Sequence, residues 1–173
     1  MNKFDFRVGD VISVVVDDVG DYGAQVTSLD GIRGSIDWLE FSWSSFDLRS
    51  PKELVKVGQE IQILVIGFWT QEIGFSGSIR QLNQDENPWV GPSAPEVGKI
   101  FEGTVWRVCE WGVCLKYPGG IRAICVFSSE FPKNSVVVGE VVTAVVEKIE
   151  VGRLGEVERA VGDIRAKPIS AIG

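Results

Sequence analysis

Apolar residues recur along this chain in short runs rich in β-branched and aromatic side chains, each ended by Gly, Asp or Pro. Such punctuation belongs to strands rather than helices. In the first half the runs cover residues 11–16, 22–28, 32–38, 60–68 and 74–80. In the second half they cover 100–107, 112–117 and 121–127, then 141–149, with a last strand expected within 155–165. Five strands in roughly 75 residues, with a longer connection between the third and fourth, predict a small closed Greek-key barrel in each half. The first of these connections contains SPKELVKVG, where Ser50 can cap a single helical turn begun by Pro51. The second has only EFPKNSVVVG in its place.

The two halves are copies. VGDVISVVVDDVGDYGAQV (8–26) aligns without a gap on VGKIFEGTVWRVCEWGVCL (97–115), an offset of 89 that also pairs Gly31-Ile32-Arg33 with Gly120-Ile121-Arg122. Val57-Gly58 then matches Val138-Gly139 at an offset of 81, so the second copy lacks eight residues between its third and fourth strands. Between the copies, prolines 88, 92 and 95 break regular structure and remove backbone donors. The chain therefore reads as a first domain over 1–89, a short stiff linker over 90–96 and a shorter, divergent second domain over 97–173.

Composition narrows the chemistry. The 173 residues hold 17 Lys and Arg against 24 Asp and Glu, no histidine, and a net charge of −7. Coating duplex nucleic acid by counterion release needs clustered cations, and this balance argues against it. Histidine-dependent triads and His-ligated zinc are excluded. No motif places a nucleophile beside a base, so no enzyme activity is expected, and no cofactor or metal is implied. Asp17, Asp18 and Asp21 cluster at the first turn, but no bidentate Glu follows at EF-hand spacing, which makes a solvated turn the simpler reading. Cys109, Cys114 and Cys125 lie in apolar stretches, as reduced structural thiols do. The start MNKFDFRVGDV has no signal-like apolar core, and no run approaches the ~18 apolar residues of a membrane helix, so a cytoplasmic protein without membrane contact is expected. The charge is uneven: residues 1–92 carry 7 basic and 14 acidic groups, and residues 93–173 carry 10 of each.

Both copies resemble the S1 RNA-binding domain, the OB-fold repeat of bacterial ribosomal protein S1. In the first copy the resemblance rests on VGD, DYGAQV, DGIRGSIDW, SWSSF, PKELVKVGQEIQILVIGF and SIRQLNQDENPW. In the second it rests on VGKIFEGTV, EWGVCL, GGIRA and VVVGEVV. The resemblance implies a tandem of five-stranded OB barrels that bind single-stranded RNA by stacking bases on exposed aromatics. It implies an aromatic just before the second strand's glycine, which is Tyr22 in one copy and Trp111 in the other. The family's second aromatic is replaced by Gln25 and Cys114, and its third-strand histidine by Asp37 and Val126. Its acidic position holds Trp69 and Glu150, while Arg153 can fill the basic one in the second copy.

The candidate nucleic-acid residues are thus Tyr22 and Trp69 in the first copy, and Trp111 with Arg107, Lys116 and Arg122 in the second. Each has a plainer alternative. Tyr22 and Trp111 could cover the open end of a barrel, Trp38, Trp43 and Trp69 could be core or packing residues, and Arg33 and Arg122 could be solvated surface charges. If Asp17, Asp21 and Asp37 line the first domain's face, its potential is negative, and RNA affinity should reside mainly in the second domain. The alternative function is a protein-interaction module whose acidic first domain docks on a basic partner, ribosomal or ribonuclease-associated, and no longer binds nucleic acid.

Overall fold

The computed structural model describes residues 4–44, 46, 49–150, 153–154, 157–158 and 164–169. Two compact units follow one another, and the main division falls between Asn87 and Pro88. The first unit is built on β1 (Val11–Gly20), β2 (Gly23–Ser28), β3 (Arg33–Asp37), β4 (Glu60–Phe68) and β5 (Phe75–Ser78). These close into a barrel in the order β1-β2-β3-β5-β4. The helical turn α1 (Pro51–Leu54) lies between β3 and β4, and the Ser50 side chain accepts a bond from Lys52 N as its cap. The second unit is built on β6 (Ile100–Val108), β7 (Gly112–Tyr117), β8 (Ile121–Val126), β9 (Val141–Ile149) and β12 (Ile164–Pro168); between β9 and β12 in the chain, β10 (Arg153–Leu154) and β11 (Val157–Glu158) form a separate two-stranded hairpin. Its closed barrel runs β12-β8-β7-β6-β9.

Strand alternation sorts each barrel into an apolar inside and a variable outside. Val14, Val16, Ala24, Val26, Ile36, Ile63, Val65 and Phe75 fill the first core. Val105, Val113, Leu115, Ala123, Cys125, Ala144, Val146 and Ile164 fill the second. Each barrel closes through a single parallel pairing. In the first, Gly34 faces Phe75 across β3–β5, and in the second, Ala123 faces Ile164 across β8–β12. A β-carbon on Gly34 would lie 2.4 Å from the Phe75 ring, so glycine leaves room for the larger side chain. The second barrel divides a similar volume as Ala and Ile. A second pair shows the same exchange: the Ile63 methyl would be 2.3 Å from a β-carbon on Gly77, and the equivalent positions are Ala144 and Ala166.

The closing strand of the second barrel corrects the sequence-based expectation. It starts at Ile164 and runs to Pro168, past the expected 155–165. Phe75 and Ile164 are again 89 apart, so the eight residues lost before the fourth strand are regained after it, in the stretch holding β10 and β11. Arg153 belongs to β10, and its side chain lies outside the described residues.

The first barrel holds a buried charge pair. Glu40, fully buried in the 3-10 turn after β3, accepts from Arg80 Nε at 2.9 Å, and Ser78 Oγ donates to the same oxygen at 3.4 Å. The Arg80 guanidinium carbon lies 4.6 Å from the centre of the buried Trp43 ring, whose Nε1 donates to Asn83 O. Burial lowers the Arg80 pKa to about 10, against the opposing pull of Asp37, so Arg80 stays charged at neutral pH. The equivalent positions in the second barrel are Ser129 and Ile169.

The seam yields a stability prediction. Gly34→Ala should cost about 1–3 kcal/mol by overpacking against Phe75, and adding Phe75→Ile, the second barrel's combination, should recover most of that loss. Urea denaturation of the two single variants and the double variant measures this. Strictly additive losses would refute the compensation.

Candidate nucleic-acid interface

The strand order places the outer surface of β2 and β3, flanked by β1, in the first barrel, and that of β7, β8 and β6 in the second, on equivalent faces. Both faces carry the same irregularity. The pairing of β1 with β2 skips between Val16 and Asp18, and that of β6 with β7 skips between Val105 and Arg107. Asp17 and Trp106 are the bulged residues, again 89 apart, and each bulge shifts the inside–outside alternation by one position.

The aromatic–glycine pair at each hairpin has a steric origin. A β-carbon on Gly23 would lie 2.2 Å from Ile36 O, and one on Gly112 would lie 2.1 Å from Cys125 O. Only glycine lets the neighbouring strand pass this closely, and the residue before it sits on the turn. Tyr22 is 83% exposed and Trp111 is 46% exposed. Neither aromatic is buried as a barrel plug.

In the first barrel Tyr22 borders an open cleft of about 390 Å³ together with Asp18, Asp21, Gln25, Ser35 and Asp37. Its acids differ in one respect from the sequence-based expectation. Asp17, at the bulge, accepts from the Thr27 hydroxyl, and Asp18 lines the cleft instead. Asp21 pairs with Lys52 at 3.2 Å, and Asp37 accepts from Leu39 N at 3.0 Å. Trp69 is not among the cleft-lining residues. Its indole lies over Gly74, where a β-carbon would be 2.0 Å from the ring, and its Nε1 donates to Ser76 Oγ at 3.3 Å. That packing holds the β4–β5 turn and leaves Trp69 half-buried, one strand away from Ser35, the partner of Ser76.

The second barrel carries a different set at the same places. Arg107 stands for Asp18, Trp111 for Tyr22, Cys114 for Gln25, Ile124 for Ser35 and Val126 for Asp37. The ladder puts Arg107 opposite Cys114, and Cys114 opposite Ile124. Two residues along β7, Lys116 pairs directly with Arg122. Arg107 and Arg122 are exposed and Lys116 is half-buried. Glu110 pairs with Lys133, whose hydrogen bond and charge hold the carboxyl below its usual range. Glu150 forms an ion pair with Arg165 at 3.3 Å. The face thus combines an exposed indole with the exposed Arg107 and Arg122, while the Phe46 ring packs edge-on against Trp106 at 5.3 Å and lies 5.3 Å from Lys116 Nζ; Trp106 at the bulge and Val126, which sequence reasoning did not select, keep partial exposure there. The offset of 89 pairs Trp106 with Asp17, but only the bulge reveals its exposure.

No group of three or more potential metal ligands occurs among the described residues. No described helix is long and apolar enough to cross a membrane. The three cysteines are free thiols, and Cys125 lies in the second core.

No family model matches the chain. Among curated proteins it is 29% identical over 137 residues to small ribosomal subunit protein bS1 of Rhizobium meliloti, covering 78% of this chain and 23% of that protein. It is 30% identical over 155 residues to the Neisseria meningitidis protein of the same name, covering 84% of this chain and 26% of the relative. A third relative, 29% identical over 145 residues, is 4-hydroxy-3-methylbut-2-enyl diphosphate reductase of Clostridium acetobutylicum, with 79% of this chain and 22% of the enzyme covered. The chain spans about a quarter of the length of these relatives. Two closed five-stranded barrels in tandem define a pair of OB-fold domains. Together with the two ribosomal relatives, they support an S1-like domain family for this chain.

The core beneath the second face sets a pH dependence. Burial, then Glu147 and Cys114, push the Cys125 thiol from the ordinary 9.0 up to about 12. The folded state therefore keeps a proton that the unfolded chain releases, so stability is full below pH 9 and falls as pH rises toward 12, by at most ~1.4 kcal/mol per pH unit. Urea midpoints between pH 8 and 10.5 should decline more steeply in the native protein than in Cys125→Ala. Parallel declines would contradict this.

Proposed function

We propose that this chain is a non-catalytic RNA-binding protein that holds single strands on the outer face of its second barrel. The observation that carries the reading is Trp111, exposed on the turn at the family's stacking position, with Arg107, Lys116 and Arg122 on the same face. An indole can stack on any base, and nearby cations attract the backbone without the charge density needed to coat a duplex. The relatives named as small ribosomal subunit proteins support RNA as the ligand class. Trp106, half-exposed at the bulge beside Arg107, already has the Phe46 ring packed edge-on against it at 5.3 Å, so the reading rests on Trp111.

The first barrel supports a different use. Its equivalent face holds Asp18, Asp21 and Asp37 around Tyr22, which opposes phosphate. That cleft favours the second reading, a protein-interaction module whose acidic first domain docks on a basic partner and does not bind nucleic acid.

Fluorescence anisotropy with a labelled single-stranded RNA and the full-length chain tests the assignment. Trp111→Ala should lose ~1–3 kcal/mol, roughly a 5- to 150-fold rise in Kd, whereas Tyr22→Ala should leave the Kd nearly unchanged. Equal losses from the two variants, or no loss from Trp111→Ala, would sink the assignment of RNA to the second barrel.

A further inference from the structure

Besides its own barrel, the second compact unit includes a short stretch from earlier in the chain, Ser44–Asp47. Ser44 rests on the turn between β7 and β8, where a β-carbon on Gly120 would come within 2.8 Å of its Oγ. The same Oγ accepts from Phe46 N at 3.3 Å. Held this way, the Phe46 ring stands edge-on to Trp106, with centroids 5.3 Å apart and planes at 67°, and Lys116 Nζ lies over it at 5.3 Å from its centre.

The first barrel shows the same places without such an occupant. Gly31, at the position of Gly120, has nothing within 4 Å of a β-carbon. Asp17 and Thr27, at the positions of Trp106 and Lys116, bond to each other. In the second barrel the corresponding pair instead presents an indole and an ammonium to one ring. Phe46 and Lys116 are half-buried and Trp106 is 42% exposed, so none of the three belongs to the core.

We infer that Phe46 is an internal competitor of single-stranded RNA: its ring fills a place between an aromatic and a cation that a base and its phosphate would otherwise take. The inference rests on the proposal that this face binds RNA. An indole and an ammonium are the groups with which such a face holds a strand, the first by stacking and the second by charge. Phe46 engages both at once, through an edge contact and a cation–π contact. Trp111 stays exposed on the turn, so a strand can land there and must displace the ring to reach Trp106 and Lys116. Each contact that holds Phe46 is individually weak, which lets the ring lower the affinity of the face without closing it.

The test compares the full-length native chain with Phe46→Ala and Phe46→Leu, each alone and combined with Trp111→Ala, by fluorescence anisotropy of a labelled single-stranded RNA. Phe46→Leu keeps apolar bulk and carries the test should the alanine variant unfold. Removing the ring should tighten binding about 5- to 30-fold, the worth of one aromatic pair and one exposed cation–π contact. With a fluorinated phenylalanine at position 46, the fluorine NMR signal should shift saturably as RNA is added, reporting displacement of the ring. Binding that is unchanged or weakened in the Phe46 variants, or a fluorine signal that stays in place while RNA binds, would overturn the inference. If Trp111→Ala still weakens binding in that event, the failure is confined to Phe46. If Trp111→Ala costs nothing in any background, the RNA face itself fails and the inference falls with it.

Discussion

Both barrels depend on how they close. In the strand order β1-β2-β3-β5-β4 the sheet seals where the third and fifth strands run side by side, and that seam is one short parallel pairing in each barrel. A parallel contact this short has few ladder bonds, so side-chain volume must hold it. A small residue faces a large one in both seams, as Gly34 with Phe75 and as Ala123 with Ile164. The core can therefore drift in sequence while conserving volume, the type of change that interiors tolerate best. Restoration of the 89-residue offset at the closing strand follows from the same constraint: the connections gain and lose eight residues, but the strand must return opposite its partner.

The inside is fixed by packing, and the outside is not. Outward positions of β1–β3 and β6–β8 contribute little to closure, so their chemistry can change without disturbing the fold. Asp18 and Arg107 occupy the same place with opposite charge, and so do the charged Asp37 and the aliphatic Val126. The glycine that follows the aromatic cannot vary in this way, because the adjacent strand's carbonyl fills the space of its β-carbon. Hence Tyr22 and Trp111 stay in register on equivalent turns while their surroundings diverge. The same scaffold thus carries an acidic face on one barrel and a face with cations and an indole on the other, although the net charge of the whole chain is −7.

Much of this was legible beforehand. Period-two alternation reports burial directly, so nine of the ten expected barrel strands overlap the observed ones closely, and the doubled VGD/VGK start reveals the repeat. The tenth was misplaced because an insertion after β9 contains β-prone residues of its own that the pattern cannot separate from the closing strand. Asp17 was expected on the cleft in place of Asp18 because alternation was extended through a bulge that leaves no mark in the sequence. Trp69 has the exposure-neutral pattern of a turn aromatic, and its packing on Gly74 depends on the absence of a β-carbon five residues away.

The buried Glu40–Arg80 pair illustrates the other limit of sequence reading. Its partners are 40 residues apart and each alone resembles a surface charge. Their burial follows from the positions they occupy, one after the third strand and one after the fifth, which the barrel brings together at the seam's end. Removing one partner would strand the other in a site shielded by Trp43, whereas an apolar replacement of both is physically reasonable, and the second barrel has dispensed with the pair. With Ile169 in place of Arg80, that end of the second barrel has no charge to bury, and its surface is left aliphatic. The second barrel thus lacks both the buried ion pair and the helical turn that the first barrel carries between its third and fourth strands.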